Sequence, residues 1–117
     1  MAQDAESIYN EYMSKLKQVM PNVDPSLVHQ IIYLERKLTN EDMNEPDVSA
    51  IIEYKSGIDV DVKMNGLREK YSLEVEHGDK QGVLHVMGRM KIGDIQKIAA
   101  DTDIVKITGK ADPTYGE

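Results

Sequence analysis

The sequence predicts an α+β protein: an N-terminal helical hairpin followed by a ferredoxin-like βαββαβ domain with an antiparallel sheet. Three observations carry this. Apolar residues recur at helical spacing over the first forty positions. The stretch VLHVMGRMKIGDIQKIAADTDIVKITGK, residues 83–110, reads as strand, turn, helix, turn, strand. The preceding forty residues echo that unit, with a strand, a Gly/Asp turn, an ambiguous stretch and a second strand. The predicted units are residues 1–40 (the hairpin, packing on the main domain), 48–110 (the α+β domain) and 111–117 (a flexible tail).

Asp4 is a candidate N-cap for the first helix. Ile8, Tyr9, Tyr12, Met13, Leu16, Val19 and Met20 share one broad face. Pro21 ends the helix, because the residue before a proline avoids the helical region. Asp24 and Pro25 then have the order of an N-cap and a first helical residue. Leu27, Val28, Ile31, Ile32, Leu34 and Leu38 form the apolar side of the second helix. Neither stripe can be buried by the pair alone, so the hairpin must pack on the rest of the chain or serve as an arm for a partner.

The stretch NEDMNEPD, residues 40–47, reads as a linker. VSAIIEYK, residues 48–55, is a strand. Residues 58–71 are ambiguous. Strict alternation in IDVDVKM and the pair Asn65-Gly66 favour a hairpin. Val60, Met64, Leu67 and Tyr71 instead share one helical face. The echo decides for a helix over residues 59–70. If the hairpin held, the fold would be an antiparallel meander with a single C-terminal βαβ helix at residues 94–100. SLEVEH, residues 72–77, is a strand with Glu74 and Glu76 on its outer side, and GDKQG joins it to residues 83–90. Gly93-Asp94 offers the next helix start. Asp101-Thr102-Asp103 stops that helix, residues 104–108 form the last strand, and a loose tail follows.

Composition narrows the function. The chain has 117 residues, is 40% hydrophobic and 30% charged, and lacks Phe and Trp, so its core is aliphatic with seven Met filling gaps. A net charge of −7 speaks against nucleic acid and anionic membranes as partners. Without Cys there are no disulfides, thiol nucleophiles or Cys-based zinc sites. The acidic start shows no signal-peptide pattern and no apolar run reaches ~20 residues, so the expected compartment is the cytoplasm.

No catalytic or cofactor signature is present, and the expected class is non-enzymatic, with no cofactor and no metal. His77 and His85 flank one hairpin; on a common sheet face they would supply two metal ligands, fewer than a stable site needs. Asp59 with Asp61, and Asp101 with Asp103, read as helix-start and turn residues. Ser49, Ser56 and Ser72 lack a G-x-S-x-G context. Arg89 is expected to bridge to Glu74 or Glu76 across strands.

The pattern IIEYKSGIDVD, GLREKY, SLEVE and GVLHVMGRMKIGDIQKIAADTDIVKITG resembles the propeptide-type inhibitors of subtilisin-like serine proteases, over residues 48–110. The two N-terminal helices lie outside that family's pattern. The resemblance implies a sheet face that docks on a protease and a C-terminal tail, here residues 109–117, that enters the active site. The expected function is therefore a small protein-interaction domain, with a subtilisin-like protease or a second copy of the chain as partner. Candidate partner-binding residues are Glu74, Glu76, Asp112 and Tyr115. The alternative is a small-ligand- or metal-binding regulatory module that dimerises through its sheet.

Overall fold

Asp4 opens the part of the chain that the computed structural model describes, residues 4–37 and 46–112. Its carboxylate accepts from the Ser7 N–H at 2.7 Å, satisfying a donor that a helix start leaves open. Helix α1 (Ala5–Val19) follows and stops ahead of Pro21. The Asp24 carboxylate accepts from the Ser26 N–H at 3.1 Å and starts α2 (Pro25–Lys37). Next come β1 (Asp47–Tyr54), α3 (Val60–Tyr71), β2 (Glu74–His77), β3 (Val83–Arg89), α4 (Ile92–Ala99) and β4 (Ile104–Asp112). The protein is α+β. Its described residues form four helices and one four-stranded antiparallel sheet, in the spatial order β2-β3-β1-β4.

The ambiguous stretch is helical. Asp59 caps α3, accepting from the N–H groups of Asp61 at 3.1 Å and Val62 at 3.4 Å. Met64 and Leu67 are buried, and Val60 and Tyr71 pack against the same core. The alternating reading fails at Val62, which is 64% exposed. The hairpin signal Asn65-Gly66 sits on the outer side of this helix. A Cβ at Gly66 would meet nothing within 4 Å. Gly66→Ala is therefore expected to stabilise the fold by about 1 kcal/mol, read as a higher urea midpoint at unchanged m-value.

Three of the boundaries that differ from the sequence reading do so because of a distant partner. Helix α4 starts at Ile92, ahead of Gly93-Asp94: the Lys91 N–H donates to the Asp94 carboxylate at 3.0 Å, and the Ile92 N–H donates to Glu35 of α2. Strand β4 runs to Asp112 instead of ending at Thr108, because β1 offers it a full-length neighbour, with Val48 opposite Ala111 and Asp47 opposite Asp112. Ala111 and Asp112 thus belong to the sheet rather than to a tail. At the linker's end, Pro46 is fully buried, its carbonyl accepts from the Met90 N–H, and Asp47 already belongs to β1. Leu38, linker residues 40–45 and tail residues 113–117 lie outside the described residues.

The segment between α1 and α2 lies along the outer edge of β4. Ile107 donates its N–H to the Asn22 carbonyl at 2.7 Å and accepts from the Asp24 N–H at 2.9 Å. Further along, the Ala111 N–H donates to the Gln30 side-chain carbonyl at 3.0 Å. An edge that would otherwise template foreign strands is thereby partly covered. Leu27, Val28 and Ile31 of α2 are fully buried in one core with Ile52, Leu84, Ile95 and Ile107. Helix α1 has no buried residue. It is held against α2 through His29, whose Nδ1 lies 3.2 Å from the Tyr12 hydroxyl and whose ring meets Tyr9 and Tyr12 edge-on.

Candidate functional site on the open sheet face

Strand alternation assigns the two faces of the sheet. Val48, Ala50, Ile52 and Tyr54 of β1 are buried in the core, so Asp47, Ser49, Ile51 and Glu53 point the other way. Register carries this face across the sheet. On β3 the partners are Arg89, Met87, His85 and Val83; on β4 they are Asp112, Lys110, Thr108 and Lys106. Beyond β3, Glu74 and Glu76 of β2 stand opposite Met87 and His85. The helices contribute to the core on the opposite side. Among the described residues, what remains is an open face with Glu74 and Glu76 along its β2 edge, Lys106, Lys110 and Asp112 along its β4 edge, and Ile51, Val83 and Met87 between them. Ile51 is 44% exposed.

A row of three polar side chains crosses this face. Ser49 Oγ lies 2.8 Å from His85 Nε2, and His85 Nδ1 lies 3.7 Å from Glu76 Oε1. Three strands supply its three members. The order hydroxyl, imidazole, carboxylate is that of an acyl-transfer triad. Acyl transfer also needs preorganised donors for the oxyanion. Strand β1 is paired on both sides, so its N–H groups around Ser49 are engaged in the ladders. The evident effect is to hold the His85 ring: Ser49 hydrogen-bonds its Nε2, and Glu76 lies near Nδ1 beyond hydrogen-bond distance.

His77 does not join His85. It is the next residue after Glu76 on β2, opposite Leu84, and therefore turns to the helical side. There its Nε2 lies 3.1 Å from Asp61 of α3. The two-imidazole pair thus fails geometrically, and among the described residues no three His, Cys, Asp or Glu converge. Glu74 and Glu76 lie together on the open face. Asp112 lies at its far corner, on the opposite edge strand. Tyr115 lies outside the described residues.

On the helical side, Lys63 of α3 reaches the turn after α4, with Nζ 2.9 Å from both Asp101 Oδ2 and Asp103 Oδ2. These two hydrogen bonds raise the Lys63 pKa. Burial works to raise the Asp101 carboxyl, but Lys63 and the Asp103 N–H outweigh it and hold the carboxyl below the usual range. Desolvation, reinforced by Asp101, pushes the adjacent Tyr54 phenol up to about 12. The paired aspartates thus act as a clamp closing the α4–β4 turn onto α3, and Tyr54 stays protonated at neutral pH. A groove of about 410 Å³ between α3 and α4 is lined by Tyr54, Lys63 and Leu67, and its Lys63 is already neutralised by the clamp.

Lys63→Met is expected to cost about 1 kcal/mol at pH 7, given the partial exposure of the clamp. The sign follows from the two shifts. Lowered in the fold, Asp101 contributes stability above its unfolded value near 3.8, and loses it as pH falls through the folded value. Raised in the fold, Lys63 contributes fully below 10.5 and loses its share as pH rises through its folded value. Urea titrations should therefore show a constant gap between variant and parent from about pH 5 to about pH 10, shrinking below about pH 4. A gap that persists at pH 2 would contradict the clamp.

Among the described residues no helix is long and apolar enough to cross a membrane. Compared with protein-family models, with curated proteins and with solved structures, the chain matches none of them.

Proposed function

We propose that this chain is a small non-enzymatic protein-interaction domain that docks its partner on the open face of the sheet. The observation that carries this reading is the one-sided architecture. The helices bury one face of the sheet, while the other keeps Ile51, Val83 and Met87 at its centre and opposite charges at its two edges. The order of strands and helices supports a ferredoxin-like βαββαβ domain. Contacts between α1 and α2 support an N-terminal helical hairpin. Such domains leave one sheet face for function. The engaged N–H groups around Ser49 favour binding over acyl transfer.

Resemblance to the propeptide-type inhibitors makes a subtilisin-like protease the partner to try first. Glu74 and Glu76 would lie in the docked face, with Asp112 and Tyr115 leading toward the active site. The test is an inhibition assay of a subtilisin-like protease, using the full chain and a chain ending at Asp112. Removing more would strip Ala111, which is buried and paired with Val48. Inhibition weakened by Glu74→Lys and by the truncation supports the reading. No inhibition at micromolar chain removes the protease from it.

A further inference from the structure

Resting on the reading of the open face as a docking surface, we infer that one occupant of that face is a second copy of this chain, packed face to face about a two-fold axis parallel to the strands. The distribution of charge selects both the partner and the axis. Glu74 and Glu76 stand on β2, one edge of the face, and Lys106 and Lys110 on β4, the other. All four are exposed, and none of Glu74, Lys106 and Lys110 takes part in an ion pair among the described residues. Asp112 at the β4 corner and Asp47, Glu53 and Arg89 on the inner strands also lie on this face, but the pairs Glu74/Glu76 and Lys106/Lys110 on its two edges are complementary when the face is turned end over end.

Rotation about an axis lying between the sheets and along the strands preserves strand direction and reverses strand order. Each β2 then covers the other copy's β4. Register places Glu74 in one row with Met87, Ser49 and Lys110, so Glu74 comes over the second copy's Lys110. Glu76 shares its row with Thr108 and falls between the second copy's Lys106 and Lys110. An in-plane axis across the strands would instead set β2 on β2 and glutamate on glutamate. Like charges so juxtaposed disfavour that arrangement. Aligned packing of two twisted sheets, offset by about 30°, accommodates the first geometry.

Across the middle of the face each β1 covers the other copy's β3. By register Ile51 then comes over the second copy's His85, Met87 over its Ser49 and Val83 over its Glu53. His85 keeps its Ser49 hydrogen bond at Nε2, with Glu76 3.7 Å from Nδ1. At ~4.8 Å between strands and ~3.3 Å per residue the face measures roughly 500 Å². This is at the small end for a specific interface, so the dimer should be weak and concentration-dependent.

Sedimentation equilibrium of the full chain, at low salt and over micromolar to high-micromolar concentration, tests this directly. The parent should move from monomer toward dimer, and salt should oppose it. Two double variants carry the discrimination: Glu74→Lys with Glu76→Lys, and Lys106→Glu with Lys110→Glu, each checked for native circular dichroism. Each alone has residues of one sign at all four positions 74, 76, 106 and 110 and should associate about tenfold or more weakly than the parent. Mixed, they should form a heterodimer at least as tight as the parent dimer, since each basic face then meets an acidic one. A parent that stays monomeric, double variants that dimerise as well as the parent, or a mixture that fails to associate each overturns the self-pairing. If the parent stays monomeric but inhibits a subtilisin-like protease, and the Glu74→Lys variant does not, the docking face stands and only its pairing with itself is lost.

Discussion

Replacing Gly109 with alanine is expected to cost about 4 kcal/mol or more, enough to unfold a small domain of ordinary stability. Gly109 lies in β4 opposite Ala50 of β1, with φ at +155°. A Cβ there would stand 2.2 Å from the Ser49 carbonyl oxygen and 2.8 Å from Ala50 Cα. Both are backbone atoms of the central strand, so no side chain can swing aside. The two strands would have to separate at the most extensively paired junction of the sheet. Gly88 provides the control. It has the same φ, but its Cβ would meet the end of the Leu73 side chain, Cδ2, at 2.5 Å. A leucine rotamer can yield where a strand cannot, so Gly88→Ala should cost clearly less. Urea denaturation of both variants, or failure of Gly109→Ala alone to give soluble folded protein, checks the order. Equal tolerance of the two substitutions would mean that β1 and β4 are not paired in this register.

Leu27→Ala should cost about 2 to 5 kcal/mol, the range for emptying a well-packed leucine site. Leu27 is wholly inaccessible, within the core that α2 builds against β4. The comparison is Val19→Ala on α1, where the side chain is 64% exposed and the expected change is within about 0.5 kcal/mol. The contrast separates two roles within the N-terminal segment. Helix α2 is part of the domain's core, and α1 leans on it through the ring cluster at His29. Denaturant midpoints for the two variants would measure this. A Leu27→Ala variant as stable as Val19→Ala would show that α2 does not hold the sheet in solution.

Much of this architecture was legible because its causes are local. Asp4, Asp24 and Asp59 announce helix starts through contacts two or three residues away, and Pro21 stops a helix by its own ring. VSAIIEYK reads as a strand from its own residues, and the structure places Val48, Ala50 and Ile52 on its buried side and Ser49 and Ile51 on the open one. Residues 60–71 show where local signals conflict. Alternation and Asn65-Gly66 argued for a hairpin, and the four-three-four spacing of Val60, Met64, Leu67 and Tyr71 argued for a helix. The helix wins because that spacing buries Met64 and Leu67 on the sheet, whereas the alternating set includes Val62, which ends in solvent.

The site was legible only in part. Glu74 and Glu76 could be assigned to the outer side of their strand, since period-two alternation is a property of the strand itself. The approach of Glu76 to His85, and of His85 to Ser49, could not, because it depends on the registers of β2 with β3 and of β3 with β1, which no local pattern encodes. The same ignorance of register allowed His77 and His85 to be drawn as one pair when they lie on opposite faces. Sequence by itself determined the kinds of elements, their caps and which residues of each are apolar, since these follow from backbone geometry and nearest-neighbour chemistry. Only the tertiary structure decided that β4 extends to Asp112, that Glu35 sets the start of α4, and that the glutamates and Lys106 and Lys110 occupy opposite edges of one open face. Those outcomes rest on contacts between residues dozens of positions apart, whose energy appears only once the strands have chosen their neighbours.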